Sequence, residues 1–231
     1  MTAERAKTLE ALGILPESAD SFAQKTEITR AEFAYIAARA AGCSDMSGGD
    51  DSAYFLDVAD DSKYKNAIGS AVKLGLMRGT DEYTFEPDRA VAYTEAIKVT
   101  LCLLGYEWMA EASGGYPSGY IKAASMTKIS LGIPSKTDVT RRDMFVMLYN
   151  AMLTNIMESD SYTADGNTYR VNKDETFLSI NQGIYYNTGV LTAAEQMGIK
   201  NIIPTEDDEV IIDDKLKAAI DAYYEQYGVK E

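Results

Sequence analysis

Histidine is absent from this chain of 231 residues. Its absence removes the commonest general base, the Ser-His-Asp and Cys-His catalytic arrangements, and the most frequent zinc ligand. Cysteine is nearly absent as well: Cys43 and Cys102 are too few for a disulfide framework and lack the spacing of a metal site. We therefore expect two free thiols, no metal and no cofactor.

Positive charge is scarce, because 22 lysine and arginine residues face 36 acidic ones and leave a net charge of −14. A surplus of negative charge opposes binding to nucleic acid and attraction to anionic membranes. No apolar run reaches membrane-spanning length, and the first residues lack the apolar stretch of a signal peptide. We expect no nucleic-acid partner and no membrane insertion. The chain either stays inside the cell or is a mature fragment of a longer protein.

One short string recurs three times. Residues 28–32 read Ile-Thr-Arg-Ala-Glu, residues 91–95 read Val-Ala-Tyr-Thr-Glu, and residues 139–143 read Val-Thr-Arg-Arg-Asp. Upstream of each lies Leu-Gly followed by Ile or Leu, at 12–14, 74–76 and 131–133. Two markers in the same order define a repeated unit of roughly fifty to sixty residues. We call the three copies the first, second and third strings.

The repeats predict a mainly α fold with three helical units, at residues 1–42, 43–106 and 107–157. Apolar residues at helical spacing mark two helices in each unit, and the marker glycine is a natural helix end. Residues 55–58 predict a short extended entry to the second unit.

The pattern changes in residues 158–231, where we expect a small α+β segment. Asp165-Gly166-Asn167 lies between two short runs of strand formers and predicts a hairpin. Further on, residues 210–212 predict a strand and residues 215–227 a helix.

The polar residues of the strings have the spacing of a capping box, in which a hydroxyl and a carboxylate satisfy free backbone N–H groups. The first string has Thr29 and Glu32, and the third has Thr140 and Asp143. The second has Ala92, which cannot accept a hydrogen bond. We expect these residues mainly to start helices.

Arginine follows the capping threonine in two strings, as Arg30 and Arg141. A cation in the first turn opposes the helix dipole, and capping does not need it. Two alternatives explain it. A helix N-terminus with a guanidinium suits a carboxylate ligand, whereas a salt bridge between units would serve the fold alone.

For the other candidate binding residues, a structural role is the simpler explanation. Gly75 and Gly79 are suited to helix ends and turns, although a glycine also lets a ligand approach the backbone. The acidic group of Asp57, Asp60 and Asp61 lacks the spacing and glycine of a calcium loop, which favours capping and solvation.

Four short sequence motifs together resemble the S-layer homology domain: Phe-Leu-Asp-Val at 55–58, Lys-Leu-Gly-Leu-Met-Arg-Gly at 73–79, Tyr-Thr-Phe-Glu-Pro at 83–87 and Ile-Thr-Arg-Ala-Glu at 28–32. The resemblance covers residues 3–155. Residues 114–120, Gly-Gly-Tyr-Pro-Ser-Gly-Tyr, are similar to third copies in clostridial and related Gram-positive proteins. The resemblance to the S-layer homology domain implies three helical repeats related by a pseudo-threefold axis, with grooves between them.

The resemblance also implies a function. Such grooves bind secondary cell-wall polysaccharide, often through a pyruvate ketal on an amino sugar, and hold a surface protein with its cargo domains on the outside of the cell. Tyr93 replaces the family arginine, so we expect the second string to bind weakly or to stack a sugar ring. The resemblance implies that the residues that bind polysaccharide lie at Thr29, Arg30, Glu32, Asp57, Gly75, Gly79, Tyr93, Glu95, Thr140, Arg141 and Asp143.

Two other functions stay open. An intracellular helical-repeat adaptor would use the arginines in internal salt bridges and bind protein. A carbohydrate-active enzyme would need a pair of carboxylates, and no pair is localised by the sequence. We expect no catalytic activity.

Overall fold

A computed structural model describes residues 2–43, 55–134, 138–163, 166–182, 184–187 and 190–193. The chain divides into two compact units, residues 1–177 and 178–231. The helices of the described residues are α1 (Thr2–Ala11), α2 (Ala19–Phe22), α3 (Arg30–Ala40), α4 (Lys65–Lys73), α5 (Tyr93–Leu103), α6 (Glu107–Ala112), α7 (Ser118–Thr127), α8 (Arg141–Met152) and α9 (Phe177–Gln182). The strands are β1 (Asn155–Thr163), β2 (Gly166–Thr176), β3 (Ile184–Asn187) and β4 (Val190–Ala193).

The mainly α prediction is confirmed. All six helices that the repeat pattern predicts are present, as α1 and α3, α4 and α5, and α7 and α8. Their apolar faces meet in one core, where the Phe22 and Phe145 rings lie 5.8 Å apart. Other core side chains with almost no exposure are Leu9, Ile14, Ile28, Phe33, Ile36, Ile68, Phe85 and Tyr120.

The marker glycines adopt the left-handed conformation expected of helix ends, with φ of 66° at Gly13, 72° at Gly75 and 83° at Gly132. In the third unit the helix ends earlier, because Lys128 takes a left-handed conformation with φ of 63° directly after α7. Gly132 therefore lies in the turn that follows rather than at the helix end.

Backbone pairing joins the three strings to one another. Single antiparallel bridges link Thr29 with Ala90, Ala92 with Asp138, and Glu27 with Thr140. Hydrogen bonds accompany them, from Val91 N to Ile28 O at 3.1 Å and from Val139 N to Val91 O at 2.9 Å. The three helices that begin within the strings therefore start next to one another.

The predicted extended entry at residues 55–58 is wrong, because this segment forms a turn. The Asp57 carboxylate accepts hydrogen bonds from the backbone N–H groups of Phe85, at 2.9 Å, and Glu86, at 2.7 Å. Leu56 N donates to Tyr83 O at 2.8 Å. The turn thus satisfies backbone donors of the loop before the second string.

The predicted hairpin is confirmed as β1 and β2, which pair antiparallel. It is attached to the end of α5: Met157 N donates to Leu104 O at 2.8 Å, and the Tyr106 hydroxyl donates to Asn155 O at 3.1 Å. The Trp108 and Tyr169 rings stack with centroids 4.7 Å apart. The hairpin therefore packs on the helices of the first compact unit.

In the unit of residues 178–231, β3 and β4 form a separate antiparallel hairpin. The strand predicted at 210–212 and the helix predicted at 215–227 lie outside the described residues. None of the described helices is both long and apolar enough to cross a bilayer.

Cys43 and Cys102 are both free thiols. Burial raises the pKa of Cys102 to about 12, so its thiol stays protonated and unreactive near neutral pH.

Gly105 offers a test of the contact between β1 and the helices. It has φ of 78°, and a Cβ atom there would collide with the Met157 carbonyl oxygen. Gly75 has nearly the same φ, 72°, but open space around it. We expect Gly75→Ala to cost about 1–2 kcal/mol from backbone strain and Gly105→Ala roughly 1–3 kcal/mol more from overpacking. Urea unfolding measures both, and equal losses would contradict the close approach.

Candidate functional site

Two strings form complete capping boxes, as the sequence predicts. Thr29 Oγ1 accepts from Glu32 N at 3.2 Å, while Glu32 Oε2 accepts from Thr29 N at 3.1 Å. Thr140 and Asp143 make the same pair of bonds, at 3.2 and 3.0 Å. These contacts begin α3 and α8 and fix the direction of the side chains in the first turn of each helix.

The second string keeps half of this arrangement. Ala92 has no acceptor, but Glu95 Oε2 accepts from Ala92 N at 3.0 Å. The carboxylate that the family pattern requires therefore still caps α5, while the hydroxyl half is lost.

Arg141 is buried, with 2% of its surface exposed. Its Nη2 donates to both carboxylate oxygens of Glu32 at 2.6 Å, and its Nε donates to Glu27 O at 2.7 Å. The guanidinium lies over the Phe22 ring, 3.7 Å from the centroid. Arg141 of the third string is therefore paired with Glu32 of the first string.

Arg30 is buried in a related way, with 3% exposed. Its Nη1 donates to Glu95 Oε1 at 2.9 Å, its Nε to Phe85 O at 2.8 Å and its Nη2 to Arg78 O at 2.7 Å. Burial lowers the pKa of Arg30, and the charge of Glu95 acts against that decrease. Salt bridges between strings, one of the two alternatives for the arginines, are thus present at both positions.

The two arginines differ in one respect. Each guanidinium nitrogen of Arg30 has a partner, whereas Nη1 of Arg141 is buried and makes no hydrogen bond to any described residue. A buried donor without an acceptor costs about 1–3 kcal/mol. Arg141 Nη1 therefore lacks an acceptor among the described residues.

A pocket of about 340 Å³ lies at this place. Its floor contains the Arg141–Glu32 ion pair, and its rim includes the exposed Lys25. The lining residues are Lys25, Thr26, Glu27, Thr29, Glu32 and Arg141. We call it the Arg141 pocket. It offers two cationic groups, two threonine hydroxyls and two carboxylates, a set that can bind a polar ligand with an acidic group.

An aromatic residue of the second unit lies near the same charges. The Tyr64 ring meets Tyr35 edge-on at 6.2 Å, and Lys63 Nζ lies 4.7 Å from the Tyr64 centroid. Burial raises the pKa of Tyr64, and the charge of Glu32 acts in the same direction. The charge of Glu32, which lines the Arg141 pocket, therefore acts on Tyr64.

The structure brings Thr29, Glu32 and Arg141 together in the pocket and leaves the other predicted residues outside its lining. Arg30 and Glu95 pair with each other, and Thr140 and Asp143 cap α8. A Cβ at Gly79 would meet the backbone of its own loop, and open space surrounds Gly75.

Asp57 and Tyr93 have structural roles. The Asp57 carboxylate is bonded to the loop before the second string. The Tyr93 side chain is buried, with 6% exposed, so its ring cannot present a face to a sugar. The expected stacking by Tyr93 is therefore not possible in this conformation.

Sequence reasoning missed Lys25, Thr26 and Glu27. These residues precede the first string and follow neither a helical period nor a known motif. Their exposed side chains reach the pocket only because Glu27 pairs with Thr140 of the third string. In the part of the chain that is described, no three cysteine, aspartate or glutamate side chains are grouped so as to hold a metal ion.

Comparison with known proteins supports the resemblance. Residues 54–97 match the S-layer homology domain family. The chain is 31% identical over 165 residues to a middle cell wall protein of Brevibacillus brevis, and 33% identical over 181 residues to a surface layer protein of Brevibacillus choshinensis. These alignments cover 69% and 75% of this chain but 15% of each relative. The family match spans the second predicted unit, and the first and third units and their clostridial likeness stay predictions.

Arg141 and its neighbour Arg142 form a matched pair for a stability test, because Arg141 is buried and Arg142 is exposed. We expect Arg141→Ala to lose about 3–5 kcal/mol, since Glu32 would remain buried without its partner. Arg142→Ala should change the free energy of unfolding by less than about 0.5 kcal/mol. Urea unfolding of both variants decides, and similar losses would show that the ion pair does not carry stability.

Glu95 predicts a pH dependence. Burial alone would raise its pKa, but the hydrogen bonds from Arg89 and Ala92 N and the charge of Arg30 lower it below the ordinary 4.5. The unfolded chain then takes up this proton first, so the stabilisation is complete above about pH 5.5 and decreases as pH falls toward the lowered folded value.

We therefore expect Glu95→Gln to be less stable at pH 7 and to lose less stability than the wild type between about pH 5 and 3.5. Glu82→Gln, at an exposed position, is the control and should follow the wild type. Unfolding measured across this range tests it, and parallel curves for the wild type and Glu95→Gln would contradict it.

Proposed function

We propose that residues 1–177 anchor a surface protein to the cell wall by binding an acidic wall polysaccharide in the Arg141 pocket. The observation that carries the proposal is the pocket lined by Arg141 and Lys25, in which Nη1 of Arg141 has no acceptor among the described residues. The match to the S-layer homology domain and the names of the two Brevibacillus relatives support the same function.

The pocket suits a sugar with a carboxylate substituent. A volume of about 340 Å³ lies at the lower end of ligand pockets, which measure about 300–1,000 Å³, and fits one or two sugar residues. The carboxylate of a pyruvate ketal would lie in the pocket next to the Arg141 side chain, and Lys25 lies on the rim to share its charge. The hydroxyls of Thr26 and Thr29 and the acids Glu27 and Glu32 suit sugar hydroxyl groups.

The net charge of −14 does not oppose this binding. Salt screens exposed charges beyond a Debye length of about 8 Å. Within that distance the ligand meets Lys25, Arg141, Glu27 and Glu32, whose formal charges sum to zero, and Arg141 and Glu32 are joined by a 2.6 Å ion pair. The negative surplus of the whole chain is therefore not repeated at the pocket.

We infer that the three strings are related by a pseudo-threefold axis. The support is the position of the bridges within the strings. Each bridge joins the residue before one string to the second residue of another, as Glu27 with Thr140, Ala90 with Thr29, and Asp138 with Ala92. A threefold operation would generate this pattern from any one of the three pairs.

The three contacts between strings would then differ in function. The contact of the third string with the first has an open pocket and an unpaired donor. In the contact of the first string with the second, each guanidinium nitrogen of Arg30 has a protein acceptor. We therefore assign ligand binding to Arg141 and a structural role to Arg30.

The proposal places the protein outside the cell, at the wall, with no catalytic role. The chain spans 15% of the length of its two relatives, and a parent protein with cargo domains is part of this proposal.

Co-sedimentation with Gram-positive cell walls that carry pyruvylated polymer tests the function. We expect the wild type to bind these walls and to bind poorly after mild acid has removed the ketals. Lys25→Gln should weaken binding about fivefold, which corresponds to roughly 1 kcal/mol.

Lys173→Gln, which changes an exposed lysine on β2 outside the pocket lining, is the matched control and should bind like the wild type. Equal binding to walls with and without the polymer would disprove the proposed function.

A further inference from the structure

We propose that residues 155–176, which form the β1–β2 hairpin, are a force-sensitive strap that opens under tension and lengthens the chain while the helices before it stay folded. The inference rests on the proposed function, because an anchor carries load between the wall and its cargo. In that load path, tension enters the strap from residue 178 onward and leaves it at the end of α8. The Arg141 pocket lies on the far side of α8 in this path.

The two ends of the strap lie side by side. Phe177 N donates to Thr154 O at 3.1 Å, and Asn155 pairs with Thr176 across the hairpin. The Asn155 side chain adds a bond, from Nδ2 to Glu175 O at 3.1 Å. The chain thus leaves the end of α8 and returns to the same place one hairpin later. These few bonds form the base of the strap, and they are the first to bear a pull on the residues that follow.

The direction of the pull decides how the hairpin resists it. The pairs of β1 and β2 follow one another from Asn155–Thr176 at the base to Thr163–Gly166 at the turn. A tension that separates the two base residues meets these pairs in series, because the inter-strand hydrogen bonds of an antiparallel ladder lie across the strands. It therefore breaks the pair nearest the base first and then the next. Opening one pair at a time needs less force than breaking many bonds at once.

The ladder is interrupted next to the base. Beyond Asn155 and Thr176, the next pair is Met157 with Val171, so four residues of β2 lie opposite one residue of β1. An irregularity of this kind disrupts the ladder locally. The base is therefore separated from the regular part of the hairpin and opens ahead of it.

The two strands are attached to the helices in different ways. β1 is bonded to the end of α5, where Met157 N donates to Leu104 O at 2.8 Å. β2 contacts α6 through a ring stack, in which Tyr169 and Trp108 have centroids 4.7 Å apart and planes inclined by 22°. Tension from residue 178 acts on β2 first. β2 is therefore the strand that peels away, and the ring stack resists it once the base has opened.

The opening is reversible because it leaves the helical core intact. Trp108 is already 47% exposed in the closed strap, and Tyr169 is half-buried. An isolated two-stranded hairpin is only marginally stable in water, so a modest tension is enough to open it. Hairpins form in about 1–10 μs, and the stack with Trp108 is there to be restored when the tension falls.

The strap opens before the helical part because the two are held differently. Separating the first string from the third requires breaking the buried Arg141–Glu32 ion pair, whereas the strap opens pair by pair. Residues 155–176 extend to about 70–80 Å when they are fully stretched. A sudden pull is then spread over this added length before the full tension reaches the Arg141 pocket.

Optical tweezers on the full chain test the strap. One handle is attached at Gln24→Cys, an exposed position next to the pocket lining, and the other at Ile180→Cys, which is exposed after the strap. Cys43→Ser removes the more accessible native thiol, since the buried Cys102 thiol stays protonated. We expect a reversible lengthening of about 70–80 Å at a lower tension than any larger event.

An insertion identifies the segment that opens. Ten glycine and serine residues added in the turn between Thr163 and Gly166 should lengthen this step by about 33–36 Å and leave the larger events at their original tension. A first event that releases most of the helical part, or a small step that the insertion does not lengthen, would overturn the strap.

A pair of aromatic variants tests the ring stack. Trp108→Ala should raise the ratio of open to closed strap at a given tension roughly two- to tenfold, as expected for the loss of one aromatic pair. Tyr83→Ala changes a ring that is also exposed, by 52%, but belongs to another loop, and it should behave like the wild type. Equal ratios in the two variants would contradict the role of Trp108.

Co-sedimentation without load separates this inference from the proposed function. Trp108 does not line the Arg141 pocket, so Trp108→Ala should bind walls like the wild type. A wild type that shows the reversible step but does not bind walls would retain the strap and overturn the proposed function. A wild type that binds walls but shows no such step would overturn the strap alone.

Discussion

The fold of residues 1–177 depends on two carboxylates, Glu32 and Glu95, each of which caps its own helix and pairs with an arginine of another string. Glu32 accepts from Thr29 N and so begins its own helix, and it also receives the Arg141 guanidinium across 109 positions of sequence. Glu95 does the same for Ala92 N and Arg30. Each acid thus ties a helix start to the neighbouring string. The arginine, which opposes the dipole of its own helix, is stabilised because it points away to this acid and to backbone carbonyl groups.

This pairing gives a physical reason for the irregular second string. Ala92 pairs with Asp138, which places the second string beside the third. Tyr93 replaces arginine there, and the third string carries Asp143, whose shorter side chain caps α8. The second string thus lacks the arginine, and the third string, which lies beside it, has aspartate instead of glutamate. The buried Tyr93 ring fills space with an apolar group, so no charge needs a partner at that position.

Local signals made much of the fold predictable. Capping boxes, marker glycines and helical periods fixed six helices, because each depends on neighbours within four residues. The arginines were recognised as unusual, but their acids lie 65 and 109 positions away and no local rule selects them among 36. The turn at residues 55–58 depends on the hydrogen bond that Phe85 N donates to the Asp57 carboxylate, and the pocket depends on the bridge between Glu27 and Thr140. Such partners become visible only when distant segments meet.

The bridge between Glu27 and Thr140 also governs how the chain reaches its native state. In open repeat arrays each repeat contacts only its neighbours, so folding can start anywhere and the ends can fray separately. Here the first string is bonded to the third, and closure must wait until the chain through α8 has emerged. Closing this loop of more than a hundred residues carries an entropic cost that increases with the logarithm of its length. Once closed, the first string cannot separate from the third under load without breaking the buried Arg141–Glu32 ion pair.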